Sequence, residues 1–434
     1  MAKTYDTYKD SGIAWIGEIP GEWEVLKNKY TYSFIYSGGT PTASEEKYYS
    51  DEGFAFVSIS DMSTTEYVKE TKKHLTNEGI ANKNLKVLPK GTVLFSIYAT
   101  VGAVSELLIE ATISQAILAI GLKKEIDKSY YKYNLKSMKD YIFSQANGNT
   151  QFNLNAEKVA NFTICFPPLS VQQSISSFLD TKCGEIDSLI SIQEEMISEL
   201  LAYKQSVITE AVTKGLDKKA KMKNSGVEWI GDIPEEWEVS RIGLQYNIIL
   251  GKMLCPKQIS NDYTLEYYYC AANVHFWGID GELKKMWFNS TDKKTYLTQK
   301  DDLLIVEGGA GAGGCAIVRN TDIPIYIQNS IMIVRPIYNN NIRYLRYVIE
   351  QFVKRGYVDI VCNKATIPHF TKDKVSNMKI PLPPLPVQQA IATYLDEKTS
   401  QIDSLIALKQ SKIESLKEYK KSIIYEYVTG KKRV

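Results

Sequence analysis

Gly309, Gly311 and Gly314, within Gly308-Gly-Ala-Gly-Ala-Gly-Gly314, have the G-x-G-x-x-G spacing that lets a dinucleotide pyrophosphate approach a backbone turn. That chemistry needs a helix N-terminus directly after the turn. Here Cys315-Ala-Ile-Val318 follows and reads as a strand, as does the preceding Leu303-Leu-Ile-Val306. The glycines are therefore expected to form a turn between strands, and no cofactor is expected. No G-x-x-x-x-G-K-[ST] phosphate loop and no H-E-x-x-H occur, and His74, His275 and His369 are scattered. The only Pro-Pro pairs are Phe166-Pro-Pro-Leu169 and Leu382-Pro-Pro-Leu385, neither of them an amino-methyltransferase motif, and no Pro-Asp dipeptide opens a nuclease motif. The chain is expected to be non-catalytic and to hold no metal.

The side chains that remain suit recognition. Gln115, Gln151, Asn273, Gln328 and Asn329 carry amides of the kind that pair bidentately with adenine, and Asn149 stands beside Gln151. From Arg335 to Lys379 nine basic residues face three acidic ones, a local +6. Arg343, Arg346 and Arg355 are its candidate base or phosphate donors, with Lys364 in the same stretch. Met62 to Lys90 is milder, six basic against three acidic, with Lys72 and Lys73 adjacent.

These residues sit in a chain of 434 residues that is 44% apolar and 24% charged, a globular composition long enough for two or three domains. The net charge is only +2, so any nucleic-acid face must be segregated locally. The six cysteines form no C-x-x-C pair, which suits a reducing compartment. The polar first residues do not read as a signal peptide, and the most apolar stretch, Val93 to Leu122, is interrupted by Glu106 and Glu110. A cytoplasmic chain without a membrane partner is expected.

The chain is written twice. Ser11-Gly-Ile-Ala-Trp-Ile-Gly-Glu-Ile-Pro-Gly-Glu-Trp-Glu-Val25 recurs at Ser225 to Val239 with 11 of 15 positions identical. Pro167 to Thr213 recurs at Pro383 to Thr429 with 24 of 47 identical. The offsets, 214 and 216, make the halves collinear copies. Between these blocks the copies diverge, with faint echoes such as Ile113-Ser-Gln-Ala-Ile117 opposite Ile327-Gln-Asn-Ser-Ile331.

After each Pro-Pro-Leu, a largely apolar stripe recurs at spacings of three and four: Ile186, Leu189/Ile190, Gln193, Met196/Ile197, Leu200, Tyr203 and Val207, then Ile402, Leu405/Ile406, Lys409, Lys412/Ile413, Leu416, Tyr419 and Ile423. The pattern predicts two long amphipathic helices of coiled-coil character, the first roughly 65 Å long at 1.5 Å per residue. An antiparallel pair would bury Leu200, Leu416, Tyr203 and Tyr419. The first helix is expected to stop at Lys214-Gly215 before the charged linker Asp217 to Lys223. The inserts, about 26–165 and 240–380, are rich in strand-like runs, among them Phe54–Ile59, Thr92–Tyr98, Asp302–Val306 and Ile331–Arg335. Helices are expected at Tyr130–Ser144 and Ile342–Lys354.

The repeated frame resembles the specificity subunits of type I restriction-modification systems. The residues that carry the resemblance are Trp15-Ile-Gly-Glu-Ile-Pro-Gly-Glu-Trp23 with its copy at Trp229 to Trp237, and Pro-Pro-Leu-x-x-Gln-Gln ahead of each long helix. Gly38-Gly-Thr-Pro41 also looks like the opening motif of a target recognition domain, where the second copy has Leu250-Gly-Lys-Met253. The resemblance implies an α+β fold with an internal pseudo-two-fold repeat: two β-rich mixed target recognition domains separated by a pair of long antiparallel coiled-coil-like helices. The expected divisions are 1–165, 166–214, 215–225, 226–382 and 383–434.

It further implies that each domain reads one half of a bipartite, asymmetric double-stranded DNA target and that the helices set the gap between the halves. Two methylation subunits acting on adenine N6, and restriction/translocase subunits, are the implied protein partners. On this reading Thr40 and Lys252 join the DNA-contact candidates, and Gln172, Gln173, Gln388 and Gln389 are candidates for partner binding. The competing reading is a non-catalytic, protein-binding scaffold of two β-rich domains on a helical rod.

Overall fold

A computed structural model describes residues 4–98, 100–138, 141–142, 154–319, 322–362 and 368–434. The expectations at Asn149, Gln151 and Lys364 lie outside the described residues. The chain divides into two compact units: Met1–Glu194 with Gln410–Val434, and Glu195–Lys409.

In the first unit, strands β1 (Tyr32–Ser37), β2 (Val93–Ser96), β3 (Val104–Leu107) and β4 (Ile117–Leu122) form an antiparallel sheet in the order β1-β4-β2-β3. A fifth strand, Tyr67–Val68, runs parallel to β3. Alternate residues of the central strands serve two cores, as the period of two requires. Val93, Phe95, Leu118 and Ile120 pack against Tyr131, Leu135 and Met138 of helix α1 (Lys128–Ser137) and its end. Leu94, Ile117 and Ala119 face Val57, Met62 and Ile113. A smaller sheet lies on that side, ordered Thr112–Ile113, Phe54–Val57, Lys73–Leu75, Tyr49–Ser50.

The second unit repeats the design with other residues. After the long helix α2 (Leu169–Lys214), strands β5 (Tyr246–Leu250), β6 (Leu303–Val306), β7 (Cys315–Ile317) and β8 (Ile331–Pro336) pair in the order β5-β8-β6-β7. Leu303, Ile305, Met332 and Val334 meet Tyr344, Leu345, Val348 and Phe352 of α3 (Ile342–Lys354). Leu304, Val306, Ile331 and Ile333 meet Tyr269, Val274, Ile325 and Ile327. The small sheet here is Lys284–Phe288, Thr264–Tyr269, Ile325–Ile327. The glycine-rich segment is a turn between β6 and β7, as read from the sequence. A Cβ on Gly313 would lie 2.8 Å from a methyl of Val353, which seats the turn against the end of α3.

Helix α2 has 46 residues and α4 (Leu385–Val428) has 44. Each begins after Pro-Pro, which cannot continue a preceding helix, and each ends before a glycine at positive φ, +77° at Gly215 and +73° at Gly430. Both helices contribute residues to both units. Within the first unit, the rings of Phe178 and Tyr427 meet at a tilt, centroids 4.5 Å apart, and Asp187 pairs with Lys420 at 2.6 Å. Within the second, Met196 Sδ lies 3.2 Å from Lys409 Nζ and Lys204 pairs with Asp403 at 2.7 Å. One helix number rises as the other falls, so the segments run antiparallel in each unit.

Ile186, Leu416 and Ile423 are buried in the first unit, and Val207, Ile402 and Ile406 in the second. Leu200 is half-buried, and Tyr203 and Tyr419 are 55% and 57% exposed, against the expectation that they are core. The apolar stripe is wider than a single partner helix covers, so one column packs and the next is left open.

The twice-written Trp motif caps the helix ends. Ile16, Ile19 and Trp23 pack on Ile423, Ile424, Tyr427 and Val428. Val227, Ile230, Ile233 and Trp237 pack on Val207, Ile208, Ala211 and Val212. The helix-stopping glycines lie beneath the tryptophans: a Cβ on Gly430 would fall 3.2 Å from Trp23, and one on Gly215 3.0 Å from Trp237.

Candidate nucleic-acid interface

The first residues of the long helices are tied to α1 and α3 by buried glutamines. Gln172 Oε1 accepts from the backbone N–H of Asp127 at 2.9 Å while its Nε2 donates to Pro167 O at 2.9 Å. Gln388 Oε1 accepts from Asn341 N at 2.9 Å, and its Nε2 donates to Pro383 O at 2.8 Å. Asp127 and Asn341 are the N-caps of α1 and α3. Gln172 and Gln388 are thus internal clamps, correcting the expectation that they bind partners: both are buried and both amides are used. Gln173 and Gln389 are exposed.

Beyond this frame, both units share one backbone arrangement at the end of the main sheet. The chain leaving β1 passes so close to the loop Ser114-Gln115-Ala116 that a Cβ on Gly38 would lie 2.1 Å from Ile113 O. Gly38 N donates to Ile117 O, Gly39 N to Ile113 O, and Ser114 N to Val57 O. Leaving β5, Gly251 repeats this, with a Cβ position 2.4 Å from Gln328 O. Gly251 N donates to Ile331 O, Lys252 N to Ile327 O, and Gln328 N to Tyr269 O. Only glycine permits this approach. Gly-Gly-Thr-Pro and Leu-Gly-Lys-Met are therefore two sequences for one turn, pinned to the loop joining small and main sheets.

Side chains on this turn and loop differ between the units. Thr40 Oγ1 accepts from Gln115 N at 3.4 Å, and the Gln115 side chain is exposed. In the second unit Asn329 N donates to Lys252 O at 2.8 Å. Gln328 Oε1 accepts from Ser330 N at 3.2 Å, while its Nε2 donates to Asn329 Oδ1, so the Gln328 amide is engaged within its own loop. Lys252 is committed too: its ammonium pairs with Asp292 at 2.6 Å. Burial works against that charge, and Asp292 more than offsets it, raising the Lys252 pKa.

The small sheets carry exposed lysine pairs. Lys73 pairs in register with Phe56, which pairs with Thr112, and Lys72 precedes it. Lys284 pairs with Tyr268, which pairs with Tyr326, and Lys285 follows. Each pair thus stands two strands, roughly 10 Å, from the strand feeding the amide loop. Lys284 and Lys285 escaped the sequence reading, though their adjacency matches that of Lys72 and Lys73.

The arginines of the basic cluster 335–379, with Lys354, are engaged within the fold, while Lys372 and Lys379 are exposed. Arg335 makes a two-pronged pair with Asp302 at 2.6 and 2.7 Å, and this raises its pKa. Arg343 pairs with Asp396 at 2.5 Å. Arg346 donates to Phe276 O at 2.6 Å and pairs with Glu350 at 2.9 Å, Lys354 also meets Glu350, and Arg355 donates to Trp229 O. Arg343, Arg346 and Lys354 line a cleft of about 1420 Å³ together with their partners Asp396 and Glu350, and with the Lys204–Asp403 pair. Asn273 is corrected as a base reader: it is buried, accepts from Cys270 N and donates to Asp280 O and Glu282 O. Among the described residues no His/Cys/Asp/Glu group could hold a metal, and no helix is long and apolar enough to cross a membrane.

The arrangement offers two loops with unlike side chains on one backbone template, each flanked by lysines. The family model of the type I restriction modification DNA specificity domain matches residues 20–201 and again 234–418. The chain belongs to that family. Among the specificity-family relatives, a putative type I restriction enzyme MjaX specificity subunit of Methanocaldococcus jannaschii is 27% identical over 442 residues, covering 96% of each chain. The EcoR124I/EcoR124II specificity subunit of Escherichia coli is 22% identical over 238 residues, about half of each chain (53% and 52%). A structure described as the basis of complex assembly and conformational transition of the type I R-M system shares the fold with TM-score 0.72 at 18% identity, covering 94% of this chain and 98% of that one. The crystal structure of the HsdS subunit from Thermoanaerobacter tengcongensis gives 0.52 at 17%, with 95% and 98% covered.

The sequence reading also missed Tyr130, Tyr133, Tyr344 and Tyr347, which bind the two helices of this specificity frame together. Tyr133 donates to Asp180 at 2.8 Å and Tyr347 to Asp396 at 2.7 Å. The signal was present, since Tyr-x-x-Tyr recurs at the same offset of 214 that aligned the loops.

Proposed function

We propose that this chain is the DNA sequence-specificity subunit of a type I restriction-modification enzyme, each unit reading one half of a bipartite, asymmetric target. One observation carries the reading: the same glycine-led turn and amide loop occur in both units with different side chains, as two readers of unlike half-sites require. Thr40 and Gln115 present a hydroxyl and an amide to one half, and Asn329 an amide to the other. Lys72, Lys73, Lys284 and Lys285 supply phosphate contacts. The helices shared by both units set the number of base pairs between the halves.

The chain performs no chemistry itself on this reading. Two methylation subunits, acting on adenine N6, and the restriction/translocase subunits supply it. The open apolar column of the long helices supports that assembly: Leu189, Ile192 and Tyr203 on one, Leu405, Leu408 and Tyr419 on the other, are 47–67% exposed. Gln173 and Gln389 are exposed near the helix starts. A methylation subunit must extrude its adenine, so the loaded complex encloses a distorted duplex.

The test is co-expression with the methylation subunit in a methylation-free host, followed by genome-wide mapping of modified adenines. A single gapped, two-part sequence is expected, and exchanging Thr40 and Gln115 together for alanine should relax one part only. Modification without a defined sequence, or relaxation of both parts at once, overturns the assignment.

A further inference from the structure

The turn of the second unit ends in two bare apolar side chains. Met253 is 76% exposed and Leu254 56%. They are not on a loose segment. On one side Lys252 is fixed by its N–H to Ile327 O and by its carbonyl to Asn329 N. On the other, Cys255 is buried and its carbonyl accepts from Trp287 N at 2.9 Å. Trp287 belongs to the strand that carries Lys284 and Lys285. The pair therefore bridges the amide loop and the lysine-bearing strand, where the first unit has half-buried Thr40 and buried Pro41.

We propose that Met253 and Leu254 recognise the 5-methyl group of a thymine in the half-target read by the second unit. The inference rests on the DNA-specificity reading above and adds its chemistry. Base edges in the major groove present hydrogen-bond donors and acceptors, and the thymine methyl is the apolar exception. A water-exposed apolar pair held on two fixed backbone points gains by covering such a group, and its anchoring limits the entropy cost of docking. The first unit has half-buried Thr40 and buried Pro41 at that place and so lacks an exposed apolar pair, and a methyl effect that depends on Met253 and Leu254 should be confined to one half.

The experiment uses the complex with its methylation subunit and the target it modifies. Each thymine, in both strands and both halves, is replaced singly by deoxyuridine, which lacks only the methyl group. One or two replacements, all within one half, should weaken binding about fourfold, the worth of one buried methyl. In a Met253→Ala/Leu254→Ala double variant, binding to the natural duplex should fall and those replacements should cost nothing further. A melting curve like that of the parent would show the variant folded.

A flat deoxyuridine scan, a half-target without thymine, or a methyl effect that survives the double variant overturns the inference. So does a variant that weakens binding while the parent scan is flat, which would mark the pair as a wedge between bases. If the parent complex modifies no defined sequence, the specificity reading itself fails. If it does and the scan is flat, only the methyl contact fails.

Discussion

The Tyr130 hydroxyl lies 3.1 Å from the carbonyl oxygen of Val428, joining the start of α1 to the last turn of α4. It shares its proton with Cys165 O, also at 3.1 Å. Tyr344 repeats the geometry in the second unit, toward Val212 O at 3.3 Å and Pro381 O at 3.1 Å. Burial pushes both phenols well above their ordinary pKa, so they remain donors. Each unit thus grips the beginning of one long helix through a glutamine and the end of the other through a tyrosine. Phenylalanine at 130 or 344 should cost about 1 kcal/mol of stability each, more where a carbonyl is left dry, read by chemical denaturation. No loss from either change would mean the contact is incidental.

Replacing Gln172 or Gln388 by leucine should destabilise the protein by about 1–3 kcal/mol, because buried N–H and C=O groups lose their partners. Alanine at Gln173 or Gln389 should leave denaturation unchanged and weaken association with the methylation subunit. Paired denaturation and pull-down measurements separate the two. Equal behaviour of neighbouring glutamines would contradict the clamp.

Salt dependence distinguishes free cations from paired ones. Lys284→Ala/Lys285→Ala should reduce the slope of log binding constant against log salt by about 1.8, since each phosphate left without its lysine removes about 0.9. Arg343→Ala/Arg346→Ala should leave the slope nearly unchanged and lower stability, since Arg346 is spent on Phe276 O and Glu350. The reverse pattern would restore the sequence-based expectation for the arginines.

Alanine at Gly38 or Gly251 cannot fit without moving backbone, given carbonyl oxygens 2.1 and 2.4 Å from the Cβ position. Each substitution should abolish discrimination at one half of the target while the other half is still read. Modification mapping checks this, and unchanged specificity would remove the turn from the interface.

An acid-side effect is expected at Glu66. Burial would raise its pKa, but Lys136 at 2.8 Å and Lys132 outweigh it, so the folded-state value is lowered. Its contribution to stability is therefore present above the ordinary carboxylate value and fades as pH falls through the lowered one. Lys136→Met should flatten that part of the stability–pH curve, and an unaltered curve would show the pair contributes nothing.

Much of the architecture was legible because it rests on periodicity and repetition. The stripe Ile186–Val207, the Pro-Pro starts and the glycine stops bound both long helices, and Ile342–Lys354 lies where its pattern put it. The site was less legible, because side-chain commitment is a three-dimensional fact. Arg335 looks the same in sequence whether free or locked on Asp302, and Asn273 resembles a base reader until its amide is seen closing a turn. Tyr203 failed for a different reason: its spacing marks an apolar column, but the width covered by one partner helix decides which column is dry. Gly38 and Gly251 were visible as glycines, yet their shared purpose emerged only from the carbonyls beside them.

The seat of Trp23 against the end of α4 also governs the order in which the molecule can be completed. The second unit is continuous in sequence, from 195 to 409, whereas the first draws on both termini. During synthesis the second can therefore close while the ribosome is still adding residues. The first must keep Ile16, Ile19 and Trp23 waiting until Val428 emerges, so apolar residues made before the second unit are sheltered only after it, and stay exposed to aggregation in the interval.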